Sequence, residues 1–137
     1  MLVATARAAD AVRGAGVELD ALVASGAEPG ERLHPEERVP TPRLSVTTLG
    51  SRGGSWVASD GRAETWEPAR VRGRCVNSYG AGDSFAAGLT YGLATIGEVK
   101  PAVALAASCG AAAVTGRGAC DGQLTLSPGR APTRPPR

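Results

Sequence analysis

The chain has 137 residues, 42% of them hydrophobic and only 4% aromatic, and its 15 basic and 13 acidic residues leave a net charge of +2. That length and apolar content fit one ordinary domain with a core of Ala, Val and Leu, and they exclude a wholly disordered chain. The charge is too balanced for a nucleic-acid or anionic-membrane binder, and no apolar run suits a secretory signal or a spanning helix, so a soluble cytoplasmic protein with neither partner is expected.

Residues 1–5 read as a short buried strand. Residues 8–25 read as one helix or two short ones, broken near Gly14-Ala15-Gly16, because Leu19, Leu22 and Val23 recur at helical spacing. Residues 26–42 are rich in Glu, Arg, Pro and Gly and read as a connection, with at most a helical turn at Pro35-Glu36-Glu37. The alternating, β-branched run over 44–49 reads as a strand, stopped by Gly50-Ser51-Arg52-Gly53-Gly54. Asp60-Gly61 between two further strand-like runs is a hairpin signal. A two-residue loop there would put Trp56 and Trp66 on opposite faces; a three-residue loop would set them opposite each other.

Residues 71–76 read as another short strand. Helices follow over about 83–96, ended by Gly97, and about 99–114, ended by Gly116-Arg117-Gly118. Both are crowded with Ala, Gly and Ser, which lets backbones approach closely. Residues 1–127 form the folded part, and residues 128–137, with four prolines and three arginines, read as a disordered basic tail. The order of elements predicts an α/β fold with a mostly parallel sheet.

Cys75, Cys109 and Cys120 form no Cys-x-x-Cys pair, and an odd count does not make a disulfide framework, so free thiols are expected. The single histidine, His34, lies in a Pro-rich stretch and gives a catalytic Cys–His pair little support.

The chemistry is concentrated in Gly80-Ala81-Gly82-Asp83-Ser84-Phe85. Two glycines flanking a small residue before a helix let successive N–H groups converge, and with the helix dipole they make an anion site. Asp83 reads either as a first-turn acid that caps the helix or as a base beside that anion site. Phosphoryl transfer asks for both features, amides aimed at the migrating group and a carboxylate to take the acceptor's proton. No Gly-x-x-x-x-Gly-Lys-Ser/Thr loop is present, and Phe85 stands where a dinucleotide fingerprint requires its third glycine.

The run from Asn77 to Leu89, Asn-Ser-Tyr-Gly-Ala-Gly-Asp-Ser-Phe-Ala-Ala-Gly-Leu, resembles the second signature of the ribokinase-like (PfkB) carbohydrate kinases. Thr48-Leu49-Gly50-Ser51-Arg52-Gly53 resembles that family's nucleotide loop, and Ala113-Val114-Thr115-Gly116-Arg117-Gly118 its loop over the adenine and monovalent-cation region. The resemblance implies a Rossmann-like three-layer α/β fold, ATP as donor, Mg²⁺, and a sugar or nucleoside hydroxyl as acceptor. It implies Asp83 as general base, Gly80, Ala81 and Gly82 as anion hole, and Thr48, Gly50, Ser51, Gly53, Gly116 and Gly118 at the nucleotide. It also implies a K⁺ site near Asn77, Tyr79, Ala113, Gly116 and Gly118, with Asn77 where an acid is usual and Tyr79 where a small residue is common.

Two departures stand out. The family's Asn-x-x-Glu motif, which helps place Mg²⁺ and phosphate, is expected at Thr5-Ala6-Arg7-Ala8 and is not matched there. The N-terminal half that holds the sugar pocket in the family has no counterpart, so the chain reads as a C-terminal portion, and its exposed sheet edge and apolar surface predict that it aggregates or forms a homodimer. Such a portion is an active kinase part or a nucleotide-binding remnant without turnover.

Overall fold

The computed structural model describes residues 1–31 and 41–125. His34, the turn expected at 35–37 and the tail at 128–137 lie outside the described residues.

Five strands form one sheet in the order β1 (Val3–Thr5), β2 (Ala21–Ser25), β3 (Leu44–Thr48), β4 (Gly54–Ala58), β5 (Ala63–Trp66). The first three are parallel, while β3–β4 and β4–β5 are antiparallel. The sheet is therefore mixed rather than mostly parallel. The chain turns straight back beside β3 at the 3₁₀ turn Gly50–Arg52, and residues 71–76 do not join.

The helix expected to continue to Ser25 stops early. A 3₁₀ turn at Ala6–Ala8 leads into α1 (Ala9–Ala15), and Gly16 closes it with a left-handed φ of 61° and its N–H on the Val12 carbonyl. Ala21-Leu22-Val23-Ala24 forms β2 instead. The strand is buried on both faces, Ala21 and Val23 against one cluster and Leu22 against another. A fully buried central strand is a continuous apolar run, and over five residues that run cannot be told from one face of a helix.

The hairpin forms with a three-residue connection, since Ala58 N–H meets the Arg62 carbonyl at 2.8 Å. Register pairs Trp56 with Glu64 and Trp66 with Gly54. The two tryptophans thus share a face but stand two residues apart, not opposite each other.

The helices α2 (Ala81–Thr95) and α3 (Val99–Ala113) lie on one face of the sheet and α1 on the other, giving three layers. Phe85, Leu89, Ala102, Val103 and Ala106 pack on Val23, Leu44, Val46 and Trp56. Gly88 lets the helix pair close: a Cβ there would come within 2.7 Å of Cys109 Sγ and 3.0 Å of Ala106 Cα. The same packing burdens the Cys109 thiol, whose pKa burial pushes up.

Residues 71–76 run as irregular, mostly exposed chain. Their alternation of Val and Arg looks strand-like, but they pair with no strand of the sheet. The stretch is tied at its end to α3, where Val114 carbonyl accepts from Val76 N–H at 2.8 Å and Asn77 N–H at 3.2 Å.

Candidate active site

The carboxyl ends of parallel strands in an open α/β sheet are where ligands bind, because the loops that leave them have free backbone groups and face one way. Here the loops after β1, β2 and β3 meet at that end. Arg7, just past β1, pairs with Glu31 beyond β2. Gly26 N–H donates to the Thr48 carbonyl at 2.9 Å, and Thr48 Oγ1 donates to the Ala24 carbonyl at 3.3 Å. The turn after β2 is thereby clamped to the loop after β3.

That third loop needs its glycines. Gly53 has φ 78°, and a Cβ on it would run into the Trp66 carbonyl oxygen. It returns the chain tightly enough for Gly53 carbonyl to accept from Leu49 N–H at 2.8 Å.

Between this loop and α2 lies a cavity of about 460 Å³. Thr48, Gly50, Ser51 and Gly53 line one side, Ala81 and Gly82 another, and Ala107, Gly110, Ala111 and Val114 of α3 and its end a third. Trp66 and Phe85 stack in the wall with ring centroids 5.8 Å apart and planes at 20°. Pro68, Ala69, Val71, Cys75 and Val76 complete an apolar side. The expected nucleotide loop and the start of α2 therefore face one enclosure, although they lie some thirty residues apart in sequence.

α2 begins two residues before its expected start, with Gly80 as N-cap in the left-handed region and no side-chain cap bond. Among the described residues the Gly82 and Asp83 amides meet no backbone acceptor, which leaves donors at the positive end of a fifteen-residue helix. Asp83 is exposed in the first turn, beside the cavity rather than in its lining. It does not cap the helix. The Arg7 guanidinium has its pKa raised, first by the hydrogen bond to Glu31 and then by that carboxylate's charge, with smaller contributions from Asp83 and Tyr79. Arg7 thus shares a neighbourhood with the start of α2.

Gly116 and Gly118 do not reach the cavity. Their loop folds on itself, with Arg117 N–H donating to Asp121 Oδ2 at 3.2 Å and Asp121 N–H to the Gly118 carbonyl at 3.1 Å. It docks on α2 through Gln123 Nε2, which donates to Ser84 Oγ at 3.4 Å. A Cβ on Gly80 would come within 2.8 Å of Ala119 in this loop, so Gly80 backs onto it and does not line the cavity. The expected cation residues are partly gathered. Asn77 Oδ1 accepts from Tyr79 N–H at 2.9 Å and Asn77 Nδ2 donates to the Arg117 carbonyl at 3.5 Å, which joins residues 77–79 to the loop after α3.

The spacing sought at residues 5–8 occurs instead at Ser25-Gly26-Ala27-Glu28, which starts at the last residue of β2. Ser25 Oγ accepts from Glu28 N–H at 3.1 Å. Reading β2 as a helix hid it, because a polar-x-x-Glu run means something at a strand's carboxyl end that it does not mean inside a helix. Among the described residues no three His, Cys, Asp or Glu side chains converge as a metal cage. A site with one or two carboxylates and room for phosphates suits Mg²⁺, which seldom takes an all-protein shell.

The profile of the pfkB family carbohydrate kinases matches residues 5–126. The chain belongs to this family. Over 77 residues it is 39% identical to a fructokinase of Escherichia coli, an alignment that covers 52% of this chain and 25% of the fructokinase. Among solved structures, a fructokinase double mutant of Vibrio cholerae O395 with fructose, ADP and potassium ion bound is 27% identical, with a TM-score of 0.56 over 73% of this chain and 36% of that one. A microbiome-derived acarbose kinase is 26% identical, with a TM-score of 0.63 over 77% of this chain and 37% of that one. The chain thus spans about a quarter of the curated fructokinase and little more than a third of these solved kinases. The three-layer arrangement is that of the pfkB kinases. No helix among the described residues is long and apolar enough to cross a membrane.

Proposed function

We propose that this chain supplies the nucleotide site and the general base of a kinase that transfers a phosphoryl group from ATP to a hydroxyl of a sugar or nucleoside. The observation that carries the reading is one cavity with the Thr48–Gly53 loop on one side and Ala81 and Gly82 on the other, Asp83 beside it. Its volume of about 460 Å³ lies within the usual range for a small-molecule site. The bound ADP, fructose and potassium of the Vibrio cholerae relative favour the same assignment.

In this reading the base and ribose lie against Trp66, Val71, Val76 and the small side chains of α3, and the phosphates run toward the start of α2. The open amides of Gly82 and Asp83 stabilise the equatorial oxygens of the migrating group as charge builds on them. Asp83 accepts the proton of the acceptor hydroxyl as its oxygen bonds to the γ-phosphorus and the bond to the ADP oxygen breaks. Mg²⁺ on the phosphates would neutralise their charge, and Ser25 and Glu28 are the residues assigned to hold it. K⁺ is assigned to the junction of Asn77 and Tyr79 with residues 113–118. Gly116 and Gly118 act there by shaping the loop behind the anion hole, not by touching the nucleotide. The share of the relatives that the chain spans favours a second reading, a unit that binds nucleotide without turnover by itself.

The test joins this chain to the N-terminal half of a full-length relative and follows ADP release over a panel of sugars and nucleosides. Asp83→Asn should lower turnover about 10²–10⁴-fold with ATP affinity retained. Equal rates for the two proteins would remove Asp83 from the chemistry.

A further inference from the structure

Nine arginines fall within the described residues. Arg7, Arg13, Arg43 and Arg62 each pair with a carboxylate. Arg52, Arg70, Arg72, Arg74 and Arg117 are exposed and, among the described residues, form no ion pair and no side-chain hydrogen bond. Arg52, Arg70, Arg72 and Arg74 each adjoin, in the chain, a residue that lines the cavity. Arg52 is set between Ser51 and Gly53, which line the cavity, and Arg70 between Ala69 and Val71, which also line it. Arg72 follows Val71, and Arg74 precedes the lining residue Cys75. Along residues 69–75 the odd positions Ala69, Val71 and Cys75 face the cavity, while each even position is an exposed arginine.

The interior of the cavity carries no charged side chain. Four exposed positive ones adjoin its lining residues in the chain, and Glu67 is the one acid between residues 65 and 82. In a chain with a net charge of only +2 this is a local concentration, not a reflection of overall composition. An apolar enclosure does not attract a polyanion from a distance; a ring of unpaired cations over low-dielectric walls does, by focusing field lines at the mouth.

We propose that Arg52, Arg70, Arg72 and Arg74 form a basic collar that captures a polyphosphate anion and steers a nucleoside triphosphate into the cavity. The collar rests on the nucleotide reading of the site and adds a kinetic role to it. Steering acts before docking, so its mark is a fast association that falls with salt, while the dissociation rate reports the contacts inside.

Stopped-flow binding of methylanthraniloyl-ATP to the whole chain tests this. At about 0.01 M ionic strength, where the screening length is about 30 Å, the combined variant Arg70→Gln, Arg72→Gln, Arg74→Gln should associate about tenfold more slowly than wild type. The gap should close as salt is raised, and dissociation should stay near the wild-type rate. Lysines at the same positions should keep wild-type association, and methylanthraniloyl-adenosine, which lacks the phosphates, should associate equally with all three proteins. Arg52→Gln alone, checked by circular dichroism for its fold, carries the comparison if the combined variant does not fold. Unchanged association with ATP analogue bound overturns the collar and leaves the nucleotide reading standing. Slower association that lysine does not rescue also overturns it. No binding by wild type overturns both.

Discussion

Asp83 and Gly53 hold their positions for different physical reasons. Asp83 lies in the first turn of a helix that a glycine already begins, and its carboxylate makes no cap bond. Loss of function on substitution would therefore not be loss of a helix end. Gly53 is required by geometry: its φ of 78° disfavours any L side chain, and the Trp66 carbonyl occupies the space of a Cβ. Gly53→Ala should cost about 1–3 kcal/mol by forcing the loop away from β5, and should weaken ATP binding with it. Urea titration and isothermal calorimetry on the same variant check the two effects; an unchanged midpoint with unchanged affinity would contradict this account. The Gly-Ala-Gly-Asp run was legible because the backbone geometry it demands is local. Ser25 and Glu28 were not, because their meaning depends on the strand that precedes them. Gly116 and Gly118 were legible as a loop, but its docking on Ser84 is a tertiary contact that spacing does not encode.

At the scale of elements, the hairpin and both long helices follow from local signals, and β2 and residues 71–76 do not. β2 is decided by burial between two layers, and residues 71–76 pair with no strand and are tied at their end to the Val114 carbonyl. The pair α2–α3 depends on small residues, so Gly88→Ala should push Cys109 and Ala106 aside and cost about 1–3 kcal/mol, read as a lower urea midpoint. A midpoint equal to wild type would show that the pair has slack. β1 and β2 are joined at their start by Leu2 N–H, which donates to Asp20 Oδ2 at 2.6 Å. That bond, ahead of other causes, holds the Asp20 carboxyl below its ordinary value. A lowered carboxyl stabilises the fold fully above its unfolded value of about 3.9 and loses that contribution as pH falls through the lowered one. Asp20→Asn should thus be less stable than wild type near neutrality, with the difference shrinking in acid. Thermal unfolding across that range checks it, and a constant difference would contradict the linkage.

For the molecule as a whole, one end of the sheet gathers the loops after β1, β2 and β3 with the start of α2, and the cavity there is the consequence. Fold class, family and the main signature were readable from the chain because order and spacing of loops survive without tertiary knowledge. The mixed sheet and the aromatic wall of Trp66 and Phe85 were not, since both follow from where the hairpin turns back. The most direct test of the nucleotide site is chemical-shift mapping of the whole chain with a non-hydrolysable ATP analogue. The account predicts the largest shifts at Gly50, Ser51 and Gly53, at Val71 and Val76, and at Ala81 to Asp83. Shifts confined to the Asp60-Gly61 hairpin, with those residues unmoved, would contradict it.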